Sequence, residues 1–349
     1  CYLSNERRDT MASVDGYEHR SGVHCGAAAL RNVTAFYGWN YSEAVCFGIG
    51  GGPAFVLYDD PEHPWVTFRA SPPWLERAFF ERLGVPHLFQ TGDDFETAWT
   101  DVTSRIDEDD PVILFLDPAA LDYLPDDAAH VPPHVAVLIG YDDGTATLSD
   151  GASETRQEVS LATLSDAWSS DRFVPLDNEY LVVTRAGRTE DDTDAAAAGL
   201  RGAATYMLDP LQVKRDARGP GQEGLPALRS FADYLATWPD LPDPTGPVRA
   251  ARRSIDEHGD GSAFRGLYAE SLDALGQRTN LPGNLADDAA AIGREWETVA
   301  DRIDEILTVD APDLTTFQEA ATFVGDIADR EEALFETLAD ELGEAGGRE

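Results

Sequence analysis

The chain of 349 residues carries 26 basic and 65 acidic side chains, which gives a formal net charge of −39 at pH 7. Such a surface repels phosphate backbones and anionic membrane faces, so it argues against nucleic acids and membranes as partners. Apolar residues make up 42% of the chain, which is ample for a hydrophobic core. Because the acidic residues are spread along the whole chain, they indicate a protein kept soluble in concentrated salt, and we expect a halophilic cytoplasm.

The N-terminal segment is polar and charged, with no apolar stretch that would predict a signal peptide. Met11 is a candidate start, which would make residues 1–10 an upstream artefact or a poorly ordered tail. No run of 18 apolar residues predicts a transmembrane helix, and three cysteines are too few for a disulfide framework. We therefore expect a soluble, cytoplasmic protein.

The first half of the chain mixes helical and strand patterns. Apolar residues recur at helical spacing in four segments: 25–38, 42–52, 72–84 and 93–108. Strand patterns follow in three segments: 111–117, 134–150 (two strands joined by an Asp-Asp-Gly turn) and 178–186. Helices followed by a small, mostly antiparallel sheet predict an α+β fold.

An acidic, alanine-rich stretch at 188–204 separates these elements from a second half without a convincing strand. Helical apolar periodicity covers five segments there: 225–238, 248–259, 262–276, 285–307 and 314–342. The composition break predicts three parts: a catalytic domain at 11–187, a linker at 188–204 and an all-helical domain at 205–349.

Cys25 stands at the start of the first predicted helix and is followed by small residues. The unpaired N–H groups and the dipole at a helix N-terminus favour thiolate over thiol, as a cysteine nucleophile requires. The small residues would let a substrate carbonyl approach the backbone, where the Cys25 N–H could stabilise an oxyanion. A buried structural cysteine is the alternative, so the assignment depends on partner residues.

His134 and Asp150 belong to two neighbouring predicted strands. If the turn is centred near Asp143, position 134 lies opposite position 152, and Asp150 falls on the same face one diagonal away. A carboxylate there could hold the tautomer and the orientation of the imidazole. Cysteine at a helix start, with histidine and aspartate on adjacent strands, is the arrangement of papain-like cysteine enzymes.

Residues 19–55 resemble the N-terminal signature of the butirosin biosynthesis protein H family, a group of papain-like acyltransferases. The motifs that carry the resemblance are His24-Cys25-Gly26, Tyr37-Gly38, Ser42-Glu43 and the run from Phe47 to Gly52. Segment 134–150 also resembles the His/Asp segment of related peptidases that trim bacteriocin leaders. The second half is similar to the all-helical domain of unknown function that follows in this family, so the likeness covers most of the chain from about residue 17.

The resemblance implies acyl transfer through a thioester on Cys25, from a carrier-protein thioester to a small amine acceptor. It makes His134 the general base and Asp150 its orienting group. The related leader peptidases use a glutamine six residues before the cysteine as an oxyanion donor, and His19 stands there in this chain. Neither a cofactor nor a metal is implied. Two alternatives stay open: a peptidase or amide hydrolase with the same triad, and a catalytically silent binding protein.

Other features fit structural roles at least as well as functional ones. The glycine-rich run at 48–55 lacks the lysine of a phosphate-binding loop, and it predicts a tight loop lining the active-site cleft. Cys46 is predicted to lie in the core, and Arg265 could reach a carboxylate or phosphate on a donor or form a structural salt bridge. Three isolated histidines show no metal-ligand spacing: His63, His87 and His130.

Overall fold

A computed structural model describes residues 12–58, 64–70, 72–124, 133–172, 175–210, 221–256, 259–308 and 314–343. The chain divides into two compact units, and both are discontinuous in sequence. The first unit comprises residues up to 41 together with 85–187, and the second comprises 42–84 together with 188–349. Among the described residues, no helix combines the length and apolar character that crossing a bilayer requires.

The first unit is built on a seven-stranded antiparallel sheet. The strands are β1 (Ala12–Ser13), β4 (His87–Gln90), β5 (Val112–Leu116), β6 (His134–Tyr141), β7 (Thr145–Ser149), β8 (Gln157–Ser160) and β9 (Tyr180–Val183). Along the sheet the strand order is β4-β9-β5-β6-β7-β8, with the short β1 paired to β6. The adjacent strands β5 and β6 are almost wholly buried, which explains their nearly unbroken apolar sequences.

The described part of the first unit contains the α-helices α1 (Cys25–Phe36), α4 (Phe95–Ile106) and α5 (Leu161–Trp168). Each begins at a side chain that accepts a hydrogen bond from a first-turn N–H. Helix α1 packs against β6 through a buried face of small and apolar residues. The predicted α+β class is therefore confirmed for this unit.

The β6–β7 hairpin sets the register at the end of the sheet where His134 lies. Asp142 Oδ1 accepts the backbone N–H groups of Gly144 and Thr145 at 2.9 Å and thereby closes the predicted Asp-Asp-Gly turn. A bulge then shifts the pairing by one residue, so that Val137 lies opposite Ser149. If this register is continued past the end of β7, position 134 lies opposite position 152, as the sequence predicted.

The second unit combines a three-stranded antiparallel sheet with the remaining helices. The sheet order is β10-β2-β3, formed by β2 (Pro53–Tyr58), β3 (Trp65–Arg69) and β10 (Gln222–Glu223). The helices are α2 (Glu43–Gly50), α3 (Trp74–Arg82), α6 (Asp192–Leu208), α7 (Gly224–Leu235), α8 (Thr245–Ile255), α9 (Arg265–Thr279), α10 (Asn284–Thr308) and α11 (Leu314–Leu342). All five helical segments predicted in the second half are confirmed.

This layout differs from the predicted domain ranges in three respects. Residues 42–84 belong to the same compact unit as the helices of the second half. The second unit is not all-helical, because β2, β3 and β10 form its small sheet. Most of the predicted linker at 188–204 is helix α6, whose first turn carries Asp192 and Asp194 after the capping side chain of Asp191. Acidic residues at a helix N-terminus and alanines in its interior favour a helix, which explains the composition of the stretch.

The glycine-rich run predicted to line an active-site cleft is instead part of the helix packing in the second unit. Its first three residues end α2 and its last three begin β2, and a Cβ added at Gly48 would lie 2.6 Å from Leu275 Cδ1. A Cβ added at Gly199 of α6 would lie 2.5 Å from the Gly48 carbonyl oxygen. Glycine is required at both positions because the helix backbones approach closely there. Cys46 is fully buried in α2, as predicted for a core residue.

Arg265 forms a buried ion pair in the second unit. Its guanidinium donates to both carboxylate oxygens of Glu331, at 2.7 and 2.8 Å, and to the carbonyl oxygens of Ala54 and Ala263. The side chains of Arg265 and Glu331 are 2% and 1% exposed. The indole N–H of Trp296 also donates to Glu331 at 3.3 Å. Of the two roles predicted for Arg265, the structure therefore shows the structural salt bridge.

Candidate active site

Cys25 is the first residue of α1 and is partly exposed. His24 precedes it in an extended backbone conformation and caps the helix, with Nδ1 accepting the backbone N–H of Ala27 at 3.2 Å. His24 is 1% exposed, so it is a buried cap that starts the helix at the cysteine. The first-turn N–H groups then favour the thiolate of Cys25.

The structure brings the three sequence-predicted site residues together. His134, at the start of β6, has its Nε2 atom 2.7 Å from Oδ2 of Asp150. The Cys25 side chain is a second hydrogen-bond partner of the imidazole. The Asp150 carboxylate is fully buried, whereas the thiol is partly exposed. The order thiol, imidazole, carboxylate is the geometry that a cysteine nucleophile with an oriented base requires.

Electrostatics in the site favour charged side chains despite their burial. Burial lowers the pKa of His134, but the charge of Asp150 and the hydrogen bonds to Asp150 and Cys25 outweigh it and raise the pKa to about 10. Burial likewise raises the pKa of Asp150, yet the neighbouring imidazolium and the donated hydrogen bonds bring it below its usual value. At neutral pH, Asp150 is therefore anionic and His134 is protonated, which further favours thiolate at Cys25.

Tyr123 is a site residue that no pattern in the sequence indicated. Its hydroxyl donates to Oδ2 of Asp150 at 2.7 Å, while the backbone N–H of Ala152 donates to Oδ1 at 2.9 Å. Burial, reinforced by the negative charge of Asp150 and this hydrogen bond, raises the pKa of Tyr123, so the phenol stays protonated. Nothing in the polar segment around Tyr123 signalled this role, because the contact spans 27 residues and depends on where the loop after β5 folds back.

His19, which stands where the related leader peptidases have their oxyanion donor, is engaged elsewhere. Its Nδ1 lies 2.8 Å from Ser149 Oγ and its Nε2 lies 3.0 Å from the carbonyl oxygen of Ser153. Because both ring nitrogens are occupied, neither is left to stabilise an oxyanion. The imidazole instead bridges the two ends of the loop that carries Asp150, and the backbone N–H of Gly22 donates to the Gly151 carbonyl at 2.8 Å in the same loop. His19 thus supports the site through the main chain.

Metal binding finds no support in the part of the chain that the structure describes, where no three His, Cys, Asp or Glu side chains are grouped to hold an ion. The Nδ1 atom of His87 lies 2.9 Å from the Val85 carbonyl oxygen. His63 and His130 lie outside the described residues.

Comparisons with known proteins cover both halves of the chain. Residues 24–151 match the family model of the butirosin biosynthesis protein H N-terminal domain, and residues 162–338 match a domain of unknown function, DUF4872. A crystal structure of a protein described as a candidate C39-like peptidase from Bacillus anthracis aligns at 12% identity and a TM-score of 0.37. That alignment covers 52% of this chain and 100% of the other.

No curated protein sequence matches the chain significantly. The first family match includes Cys25 and His134 together with Asp150, and the second spans more than half of the chain. Both matches lie in the order that the sequence resemblance predicted. The chain therefore belongs to the proteins with a DUF4872 domain, and this domain follows an N-terminal domain of the butirosin biosynthesis protein H family.

Proposed function

We propose that the protein is an acyltransferase that carries its acyl group as a thioester on Cys25. The observation that carries the proposal is the hydrogen-bonded series from Cys25 through His134 to Asp150, with the cysteine at the start of a helix. Family membership supports transfer over hydrolysis, since the family is named for a biosynthetic protein. The donor class we propose is a carrier-protein thioester, and the acceptor class is a small amine.

The residues divide the reaction into two balanced steps. In the first, the Cys25 thiolate attacks the donor carbonyl, the new C–S bond forms, and the donor C–S bond breaks as His134 gives its proton to the departing thiol. In the second, the amine attacks the acyl-enzyme, His134 takes the amine proton, and the Cys25 thiolate leaves. The Cys25 backbone N–H stabilises the oxyanion in both steps. Asp150 stays ionised and holds the imidazole throughout.

The high negative charge does not oppose an acidic carrier protein in the solvent we expect. At molar salt the Debye length is about 3 Å, so repulsion between two acidic surfaces is largely screened. At low salt the same repulsion slows association. We therefore propose that the enzyme acts in a salt-rich cytoplasm, and its assays belong in molar KCl with a low-salt comparison.

The test is intact-mass and peptide mass spectrometry after incubation with short acyl thioesters of N-acetylcysteamine. We expect one acyl group on the Cys25 peptide, none after Cys25→Ala, and a strongly reduced rate after His134→Ala. Cys46, which is fully buried, is the matched control thiol and should stay unmodified. An added primary amine should discharge the acyl-enzyme much faster than buffer does.

Two results would contradict the proposal. Rapid discharge by water that amines do not accelerate would assign the site to a hydrolase. A Cys25 that stays unmodified across a series of acyl thioesters, at both salt concentrations, would favour a catalytically silent binding protein.

A further inference from the structure

The segment that carries Tyr123 is held in place by contacts that do not involve the site. It follows β5 through a short 3₁₀ helix, Pro118–Ala120, which begins at Asp117. One carboxylate oxygen of Asp117 accepts the Ala119 N–H at 2.9 Å, and the other accepts the hydroxyl of Ser170 at 2.6 Å. The loop from which the phenol reaches Asp150 is therefore fixed by hydrogen bonds of its own.

The hydrogen bonds of Asp150 leave the carboxylate little freedom to rotate. Oδ2 receives both the Tyr123 hydroxyl and His134 Nε2 at 2.7 Å, while Oδ1 receives the Ala152 N–H. Two donors thus compete for the single oxygen that faces the imidazole. A donor on that oxygen draws away electron density that would otherwise bind the imidazole proton.

We propose that Tyr123 is a positioning residue, which orients the Asp150 carboxylate and weakens the hold of the Asp150–His134 pair on its proton. The inference rests on the proposed function, since it gives the phenol a part in proton transfer at the same site. Without the phenol, the imidazolium would be held more tightly by Asp150 and would give up its proton less readily. Tyr123 acts only through Asp150.

The test removes the hydroxyl and keeps the ring, and it reads the imidazole directly. Among the described residues, the titratable groups that face the His134–Asp150 pair are Cys25 from α1 and Tyr123 from the loop after β5. His19 bonds to the neighbouring Ser149. Working in a Cys25→Ala background removes the thiol, so the measured midpoint belongs to the pair and its phenol. His134 is then titrated by NMR of ¹⁵N-labelled imidazoles, with and without Tyr123→Phe.

We expect Tyr123→Phe to raise the His134 midpoint by on the order of one pH unit, because the anionic carboxylate loses a charge-assisted hydrogen bond. The matched control is Tyr141→Phe, which removes the phenol that donates to Asp107 in the same unit and should leave the midpoint unchanged. If Tyr123→Phe does not fold, 3-fluorotyrosine at position 123 replaces it. That phenol is a stronger donor and should lower the midpoint.

An unchanged midpoint, or a shift opposite in sign to the one given for either substitution, would overturn the proposal, whatever happens to the melting temperature. The titration uses no substrate and a chain without the nucleophile. A failure here is therefore distinguishable from a failure of Cys25 to accept an acyl group, which is measured with the thiol present.

Discussion

Gly151 marks the place where the loop carrying Asp150 touches the helix carrying Cys25. A Cβ added at Gly151 would lie 2.8 Å from Cβ of Ala28, which is fully buried three residues after the cysteine. Ordinary contact begins at 3.4 Å, so Gly151→Ala forces the loop and the helix apart by about 0.6 Å (3.4 − 2.8 Å). Gly151 does not have a left-handed φ, so the substitution strains no backbone angle.

A displacement of this size acts on the distance between the imidazole and the thiol. Misplacing a catalytic group by about 1 Å costs on the order of 100-fold in rate, so a shift of roughly 0.6 Å should cost between 10- and 100-fold. Overpacking of this kind also costs about 1–3 kcal/mol of stability. We therefore expect Gly151→Ala to stay folded but to lose most of the reactivity of Cys25.

The assay is the pseudo-first-order rate of Cys25 alkylation by iodoacetamide at pH 6, followed by mass spectrometry of the peptide. At this pH an ordinary thiol is almost entirely protonated, so the rate reports the thiolate that His134 maintains. The companion variant Ala28→Gly removes the opposing methyl, at about 1 kcal/mol of helix stability, and the double variant should regain most of the rate. A Gly151→Ala protein that alkylates at the wild-type rate, or a double variant no faster than Gly151→Ala, would refute the reasoning.

Two further predictions concern buried charges. Glu331→Gln leaves the buried Arg265 guanidinium without its counterion, and we expect a loss of about 3–5 kcal/mol and a melting transition lowered by on the order of 10 °C. The double variant Arg265→Met with Glu331→Leu should melt above the single one, and the opposite order in calorimetry would contradict the argument. In the first unit, the pKa of His134 is raised from its ordinary value of 6.5 to about 10, so the protonated imidazole stabilises the folded state. This stabilisation is complete below pH 6.5 and fades as the pH rises toward 10. The pKa of Asp150 is lowered from its ordinary value of 3.8, so the carboxylate stabilises the folded state above pH 3.8, and this stabilisation is lost as the pH falls. The deficit in melting temperature of Asp150→Asn should therefore be largest between about pH 4 and 6.5 and shrink in alkali, whereas a deficit independent of pH would exclude this linkage.

The candidate site could be predicted from the sequence because its determinants are mostly local. His134 and Asp150 are joined by one hairpin, whose Asp-Asp-Gly turn and alternating apolar residues define the register to within a residue. The position of Cys25 follows from the helix that begins there. These short-range patterns also predicted the helices of the second half.

What the sequence did not reveal depends on contacts between distant segments. Tyr123 reaches Asp150 from a loop with no pattern of its own. His19 contacts Ser149 and Ser153, which are separated from it by 130 and 134 positions in the sequence. The role of the glycines in α2 appears only when α6 and α9 are packed against them. The strands β2 and β3 were missed, and one of the two partners of β2, the strand β10, comes from a segment more than 150 residues later.

The discontinuity of the two units has a consequence for how the chain is synthesised. Residues 42–84 leave the ribosome long before the helices that cover them, since Phe47 packs on Phe264, Phe55 on Phe231 and Phe68 on Trp296. While residues 85–187 complete the first unit, these aromatic side chains of the earlier segment lack the partners that the later helices supply, which makes this intermediate prone to aggregation. A chain ended near residue 187 would remain permanently at that stage. A truncated chain that is to bury the aromatic side chains of residues 42–84 must therefore keep the helices of both sequence halves.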